Sequence, residues 1–117
     1  MRRFAAKLLF QYRVVINGLS NTMRDVEERI VVVDASSVQV ALRKAKRRAK
    51  SSETTYQNDD GNAVLIEFIG IMDFLELGVE CDDGDVWYEI RTLREPMERK
   101  AKFIPPESKF IKFIGSE

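Results

Sequence analysis

One stretch of this chain, residues 36–51, spaces its apolar residues for a helix, and four others space theirs for strands. Val38, Ala41, Leu42, Ala45 and Ala49 form a single apolar stripe at helical spacing. Ser36, with Gln39 three residues on, reads as a capping box. Residues 4–15 alternate, with Phe4, Ala6, Leu8, Phe10, Tyr12 and Val14 against Lys7, Gln11 and Arg13. Residues 26–34 hold the run Ile30 to Val33 of a central strand. Residues 63–77 and 86–93 are the other two, and Asn17-Gly18, Asn58 to Gly61 and Asp82 to Asp85 supply turns.

The order β-β-α-β-β predicts an α+β fold: a single four-stranded antiparallel sheet with one helix on one face. Segment 63–77, fully extended, spans about 50 Å at ~3.3 Å per residue. A bend or bulge is expected, with Gly70 the natural place.

Residues 1–95 form the predicted domain and 96–117 a C-terminal arm. The arm carries Phe103, Ile104, Phe110, Ile111, Phe113 and Ile114, too many large apolar residues for a solvated tail. Pro105-Pro106 blocks a regular helix, so the arm is expected to be extended and to dock on the domain or on a partner subunit. The sheet face opposite the helix is read as mixed. It is assigned Lys7, Arg13, Glu27, Arg29, Glu67, Asp73, Glu89 and Arg91, together with Leu9, Val31, Val33, Ile69, Ile71, Leu75 and Trp87. Such a face invites cover, and a homodimer built on it or on a strand edge is the expectation.

Charge is sorted along the chain. Residues 1–50 carry 12 basic and 4 acidic side chains, residues 51–95 carry 2 and 12, and residues 96–117 carry 5 and 3, which sums to zero. A basic and an acidic region therefore face each other or face partners of opposite sign.

Several chemistries are excluded by composition. Histidine is absent, which removes His general bases, Ser-His-Asp triads and His metal sites. Cys81 is the only cysteine, lies among acids, and permits neither an intrachain disulfide nor a CxxC site. No apolar run reaches the roughly 18 residues of a membrane span. Lys7, Gln11 and Arg13 interrupt the apolar core a signal peptide needs, so a cytoplasmic protein is expected. No enzyme activity, cofactor or metal is predicted. The acidic turns at Asp59-Asp60 and Asp82 to Asp85 lack calcium-loop spacing.

Two sets of candidate contact residues emerge. For a protein partner they are Glu67, Asp73, Trp87, Glu89, Phe110 and Phe113, from the mixed face and the tail. For a nucleic acid they are Arg43, Lys46, Arg47 and Lys50 on the polar side of the helix, where six cations fall within residues 43–50. Glu27-Glu28-Arg29 opens an otherwise apolar strand. Either Glu28 points inward and pairs with a base from a neighbouring strand, or the strand is bulged and both acids are exposed.

Several motifs occur in order: Ala5-Ala6-Lys7-Leu8-Leu9-Phe10, Glu27-Glu28-Arg29-Ile30, the alanine-rich helix, Tyr56-Gln57-Asn58, and Glu67-Phe68-Ile69-Gly70 with Asp73 and Glu76-Leu77. Together, over about residues 4–93, they resemble a bacterial domain-of-unknown-function family of small α+β proteins. The resemblance implies a bacterial source and a stand-alone cytoplasmic domain. It also implies one surface shared by Tyr56, Asn58, Glu67 and Asp73, and it carries no activity. The expected function is a non-catalytic protein-interaction module, in a special case immunity- or antitoxin-like with its acidic surface facing a basic partner. The alternative is a nucleic-acid binder using Arg43 to Lys50.

Overall fold

The computed structural model describes residues 2–77 and 84–114, and of 84–89 and 112–114 the backbone alone. In chain order its elements are β1 (Arg2–Ile16), β2 (Leu19–Ser20), β3 (Met23–Ala35), α1 (Val38–Ser51), β4 (Thr54–Gln57), β5 (Ala63–Leu77), β6 (Gly84–Arg94), α2 (Lys100–Phe103) and α3 (Glu107–Ile114). All strand pairs are antiparallel, in the order β4-β5-β1-β3-β6, with β2 folded back on β1.

The four-stranded, one-helix expectation is therefore corrected. One sheet holds six strands, and α2 and α3 accompany α1. The added strands are too short to show a periodicity. β2 is a two-residue return from the Asn17-Gly18 turn, where both residues take positive φ. β4 is polar and exposed, and is held by pairing to Ala63–Ile66. The second half of the chain is not a hairpin either. β5 pairs β1 and β6 pairs β3, so the two lie on opposite sides of the β1–β3 pair. The expected turn at Asp82 to Asp85 falls mostly outside the described residues, and Gly84 and Asp85 already pair with Val32 and Val31.

β5 stays long, and the molecule is 50 Å along its longest axis. The expected irregularity at Gly70 is present as two bulges. Lys7 pairs Asp73 but Leu8 pairs Ile71, and Leu9 pairs Gly70 but Phe10 pairs Phe68, so Met72 and Ile69 are each passed over. Phe68, Ile71 and Phe74 consequently all face α1, every third residue instead of every second. This moves Ile71 off the face to which strict alternation assigned it. Register corrects β3 as well. Val31 pairs Ala6 and Val33 pairs Phe4, so Val31, Val33, Glu27 and Arg29 share the helix side.

α1 begins one residue later than its sequence signature. Ser37, in extended backbone, is the N-cap, and its Oγ accepts from the Val40 N–H at 3.2 Å. The predicted stripe Val38, Ala41, Leu42, Ala45 and Ala49 is buried against Phe4, Leu8, Phe10, Phe68 and Phe74. Each large side chain buried there contributes about 1.5–3 kcal/mol. Phe110 of α3 enters the same core, its ring 6.3 Å from that of Phe74.

The tail is not an extended arm. Pro105-Pro106 separate α2 from α3 and leave both short. Met97, Phe103 and Ile104 pack on Leu9, Val26 and Ile69 of the opposite face. A Cβ on Gly70 would stand 2.9 Å from Ile104 Cγ2, so any larger residue there would force Ile104 to shift. Residues 97–110 therefore grip the β5 side of the sheet from both faces. Among the described residues no helix is long and apolar enough to cross a membrane.

Candidate interaction surface

Among the described residues, much of the charge is engaged within the fold. On the tail side, Gln11 and Arg24 are almost fully buried. Arg24 donates to Gln11 Oε1 at 3.0 Å, to the Asn21 carbonyl at 2.7 Å, and to both carboxylate oxygens of Glu98 at 2.7 and 2.9 Å. Gln11 Nε2 donates to Glu67, which also accepts two bonds from Arg13. The Arg13 hydrogen bonds hold the Glu67 carboxyl below the usual carboxylate range, and Arg24 does the same for Glu98. The network ties the tail to β1 and β3.

The Glu27-Glu28 alternatives resolve by register. The two acids fall on opposite faces and both are buried. Glu28 lies 3.4 Å from Lys7 Nζ on β1 and 3.1 Å from Arg91 Nε on β6, the inward reading with bases from both neighbouring strands. Glu27 accepts from the Tyr12 hydroxyl at 2.8 Å and from Arg29 at 2.9 Å. The Arg29 guanidinium lies over the Phe10 ring at 4.9 Å. Burial and the bond to Glu27 push the Tyr12 phenol up to about 12. A phenol so held is a hydrogen-bond donor at neutral pH, not a nucleophile or base.

The basic helix is also largely engaged. Lys44 donates to the Asp34 carbonyl, Arg48 to the Val32 carbonyl, Lys46 to Glu107 at 3.0 Å, and Lys50 lies 3.6 Å from Glu53. Of the four residues predicted for nucleic acid, Arg43 and Arg47 alone are exposed without an ion pair among the described residues.

Of the predicted protein-binding residues, register sets Glu67, Asp73, Trp87 and Glu89 at positions of the tail-side face, apart from Phe110 on the helix side. Glu67 is locked to Arg13 and Gln11, and the Asp73 carboxylate accepts from the Phe74 N–H. Phe110 is buried in the core. Trp87 and Glu89 occupy β6 positions paired with Ile30 and Glu28, and Phe113 lies in α3, all with side chains outside the described set. The surface implied for Tyr56, Asn58, Glu67 and Asp73 is not found. Tyr56 pairs Val64 on the helix side, whereas Glu67 pairs Gln11 on the tail side. Asn58 Oδ1 accepts from the Asp60 and Asn62 N–H groups and organises its own turn. Among the described residues no three acidic or Cys side chains converge on a metal position.

Among the described residues, the far half of the helix-side sheet face is left uncovered. α1, 14 residues long, covers about 21 Å of a far longer sheet at ~1.5 Å per residue. Past its C-terminus Tyr56, Ile16, Met23 and Ile90 are 45–54% exposed. The charged Tyr12-Glu27-Arg29 cluster sits among them. Sequence reasoning named Tyr56 for a different surface and gave Ile16, Met23 and Ile90 no contact role. The available signal was the length mismatch between a 15-residue strand and a 14-residue helix.

A family model described as a domain of unknown function, DUF4288, matches residues 3–87. The chain belongs to the DUF4288 family. The DUF4288 span runs from β1 into β6 and includes Tyr12, Glu27, Glu28 and Tyr56. Glu98, which neutralises the buried Arg24, lies beyond it, as do Phe110 and the rest of the tail. No curated protein and no solved structure matches the chain.

Proposed function

We propose that this DUF4288 chain is a non-catalytic protein-interaction module that receives its partner on the open half of the helix-side sheet face. The observation that carries the reading is the exposure of Ile16, Met23, Tyr56 and Ile90 on one side of the sheet beyond the end of α1. Large apolar side chains gathered around a satisfied polar cluster suit a protein contact. An acidic docking surface is less well supported, because Glu67 and Asp73 are already engaged. A non-catalytic role is supported by the saturation of Glu27, Glu28 and Glu67 with donors. The bacterial and cytoplasmic setting is part of the same proposal and rests on the motif resemblance.

A photo-crosslinking residue at Tyr56, compared with one at the exposed Lys102 of the tail, tests the reading in cells. Discrete protein adducts from position 56 and not from 102 are expected. Equal adducts from both positions, or none from 56, overturn it.

A second reading is favoured only by Arg43 and Arg47, exposed one helical turn apart. Fluorescence anisotropy with labelled RNA and DNA at about 50 and 200 mM salt separates it, because phosphate contacts weaken steeply over that range. Tight, salt-sensitive binding lost in Arg43→Glu/Arg47→Glu would make the nucleic-acid reading correct.

A further inference from the structure

The two edges of this sheet are treated differently. β5 is flanked by β4 along Ala63–Ile66. Its next outward N–H, that of Phe68, is bonded by the Glu53 carboxylate at 2.9 Å, and Ile104 lies against Gly70. β6 ends the strand order at the other side. Among the described residues its backbone lies close to no element except β3, although Arg99 Nη1 reaches the Arg94 carbonyl at its end. Gly84–Arg94 contains no proline, the residue that commonly protects an edge. A long edge with unpaired backbone groups is a template for another strand.

We propose that the outer edge of β6 pairs antiparallel with β6 of a second copy of this chain, about a two-fold axis through Ile90. The occupant is argued from register. Opposed residues in an antiparallel pair share a face, so a self-paired β6 is centred on a residue. Centring on Glu89 or Arg91 sets like charges against each other. Centring on Ile90 sets Glu89 opposite Arg91 of the second copy, twice over, with Tyr88 opposite Thr92 and Trp87 opposite Leu93. Charge within the chain favours the same pairing. Glu89 already has an acid, Glu28, as its register partner on β3. Glu28 is met by Lys7 and Arg91 of its own chain, and the pairing sets the second copy's Arg91 on the outer side of Glu89. Ile90, 54% exposed in the single chain, meets its own symmetry mate. The two sheets join into one, and the two open faces lie side by side. This pairing stands whether or not a further protein binds those faces.

The test is the solution mass of the full chain by sedimentation, together with position-specific disulfide trapping in a Cys81→Ser background. A mass twice that of the chain at micromolar concentration is expected. Ile90→Cys should link nearly completely under mild oxidation, because directly opposed Cα atoms stand about 4.5–5.5 Å apart. Thr92→Cys should link at least tenfold more slowly. Charge exchange is a second readout. Glu89→Arg alone should lose the dimer, and Glu89→Arg/Arg91→Glu should regain it. A monomer at hundreds of micromolar overturns the proposal. So does a dimer that Thr92→Cys traps faster than Ile90→Cys.

Discussion

Arg24 and Glu98 form a two-bond ion pair, at 2.7 and 2.9 Å, that fastens the C-terminal tail to a strand 74 residues away. Arg24 is 2% exposed and Glu98 belongs to the tail, so sheet and tail depend on one another. A buried guanidinium tolerates the interior only while its donors are met. Pro96, also fully buried, and the Met97 N–H, bonded to Gln11 Oε1, complete the attachment.

Removing the buried partner should cost more than removing the exposed one. Arg24→Ala leaves the Asn21 carbonyl without its side-chain donor and Gln11 Oε1 with the Met97 N–H alone, and a loss of about 3–5 kcal/mol is expected. Glu98→Ala should cost about 1–3 kcal/mol, because water reaches the vacated side. The midpoints of urea unfolding measure both, and a larger loss for Glu98→Ala would refute the anchoring role.

Gly70 and Ile104 should be coupled. Gly70→Ala brings a methyl group to 2.9 Å from Ile104 Cγ2, an overpacking expected to cost about 1–3 kcal/mol. In an Ile104→Ala background the same change should cost at least about 1 kcal/mol less. A double-mutant cycle by chemical denaturation supplies the number, and additivity would mean the tail does not press on β5 there.

The tail should be indispensable to the fold. Phe110→Ala is expected to cost about 3–5 kcal/mol, as for any large core aromatic. Deleting residues 96–117 strips the cover from Leu9, Val26 and Ile69, and it should abolish the cooperative thermal transition. A truncated chain that melts like the full one would refute this.

Stability should fall at both ends of the pH scale. The carboxyls of Glu67 and Glu98 titrate lower in the folded state than their ordinary 4.5, because Arg13 and Arg24 donate to them. Their contribution is present above 4.5 and is lost as pH falls through the lowered folded values. Tyr12 behaves oppositely. Its folded value is raised from 10.0 to about 12, so its contribution is complete below 10 and disappears as pH rises towards 12. Denaturation midpoints across pH should show a weaker acid slope for Glu67→Gln and a weaker alkaline slope for Tyr12→Phe. Absorbance near 295 nm should show one tyrosine ionising near 12, missing in the Tyr12→Phe variant.

Local periodicity carried the α1 stripe and the strands β1, β3, β5 and β6 in readable form, and the length of the β5 run pointed to the irregularity at Gly70. These follow from how neighbouring residues alternate, which a chain displays before it folds. Strand order, register and the path of the tail did not follow, because they are set by contacts between residues far apart in sequence. Pairing Val31 with Ala6 decided that Glu27 and Arg29 share the helix side, and the bulges at Ile69 and Met72 moved Ile71 there too. Register alone decided that Glu28 faces Lys7 and Arg91. The charges that looked free in the sequence became anchors once distant partners arrived. The open half of the sheet appeared only when a helix of 14 residues was laid on strands that outrun it, since 1.5 Å of rise cannot cover 3.3 Å.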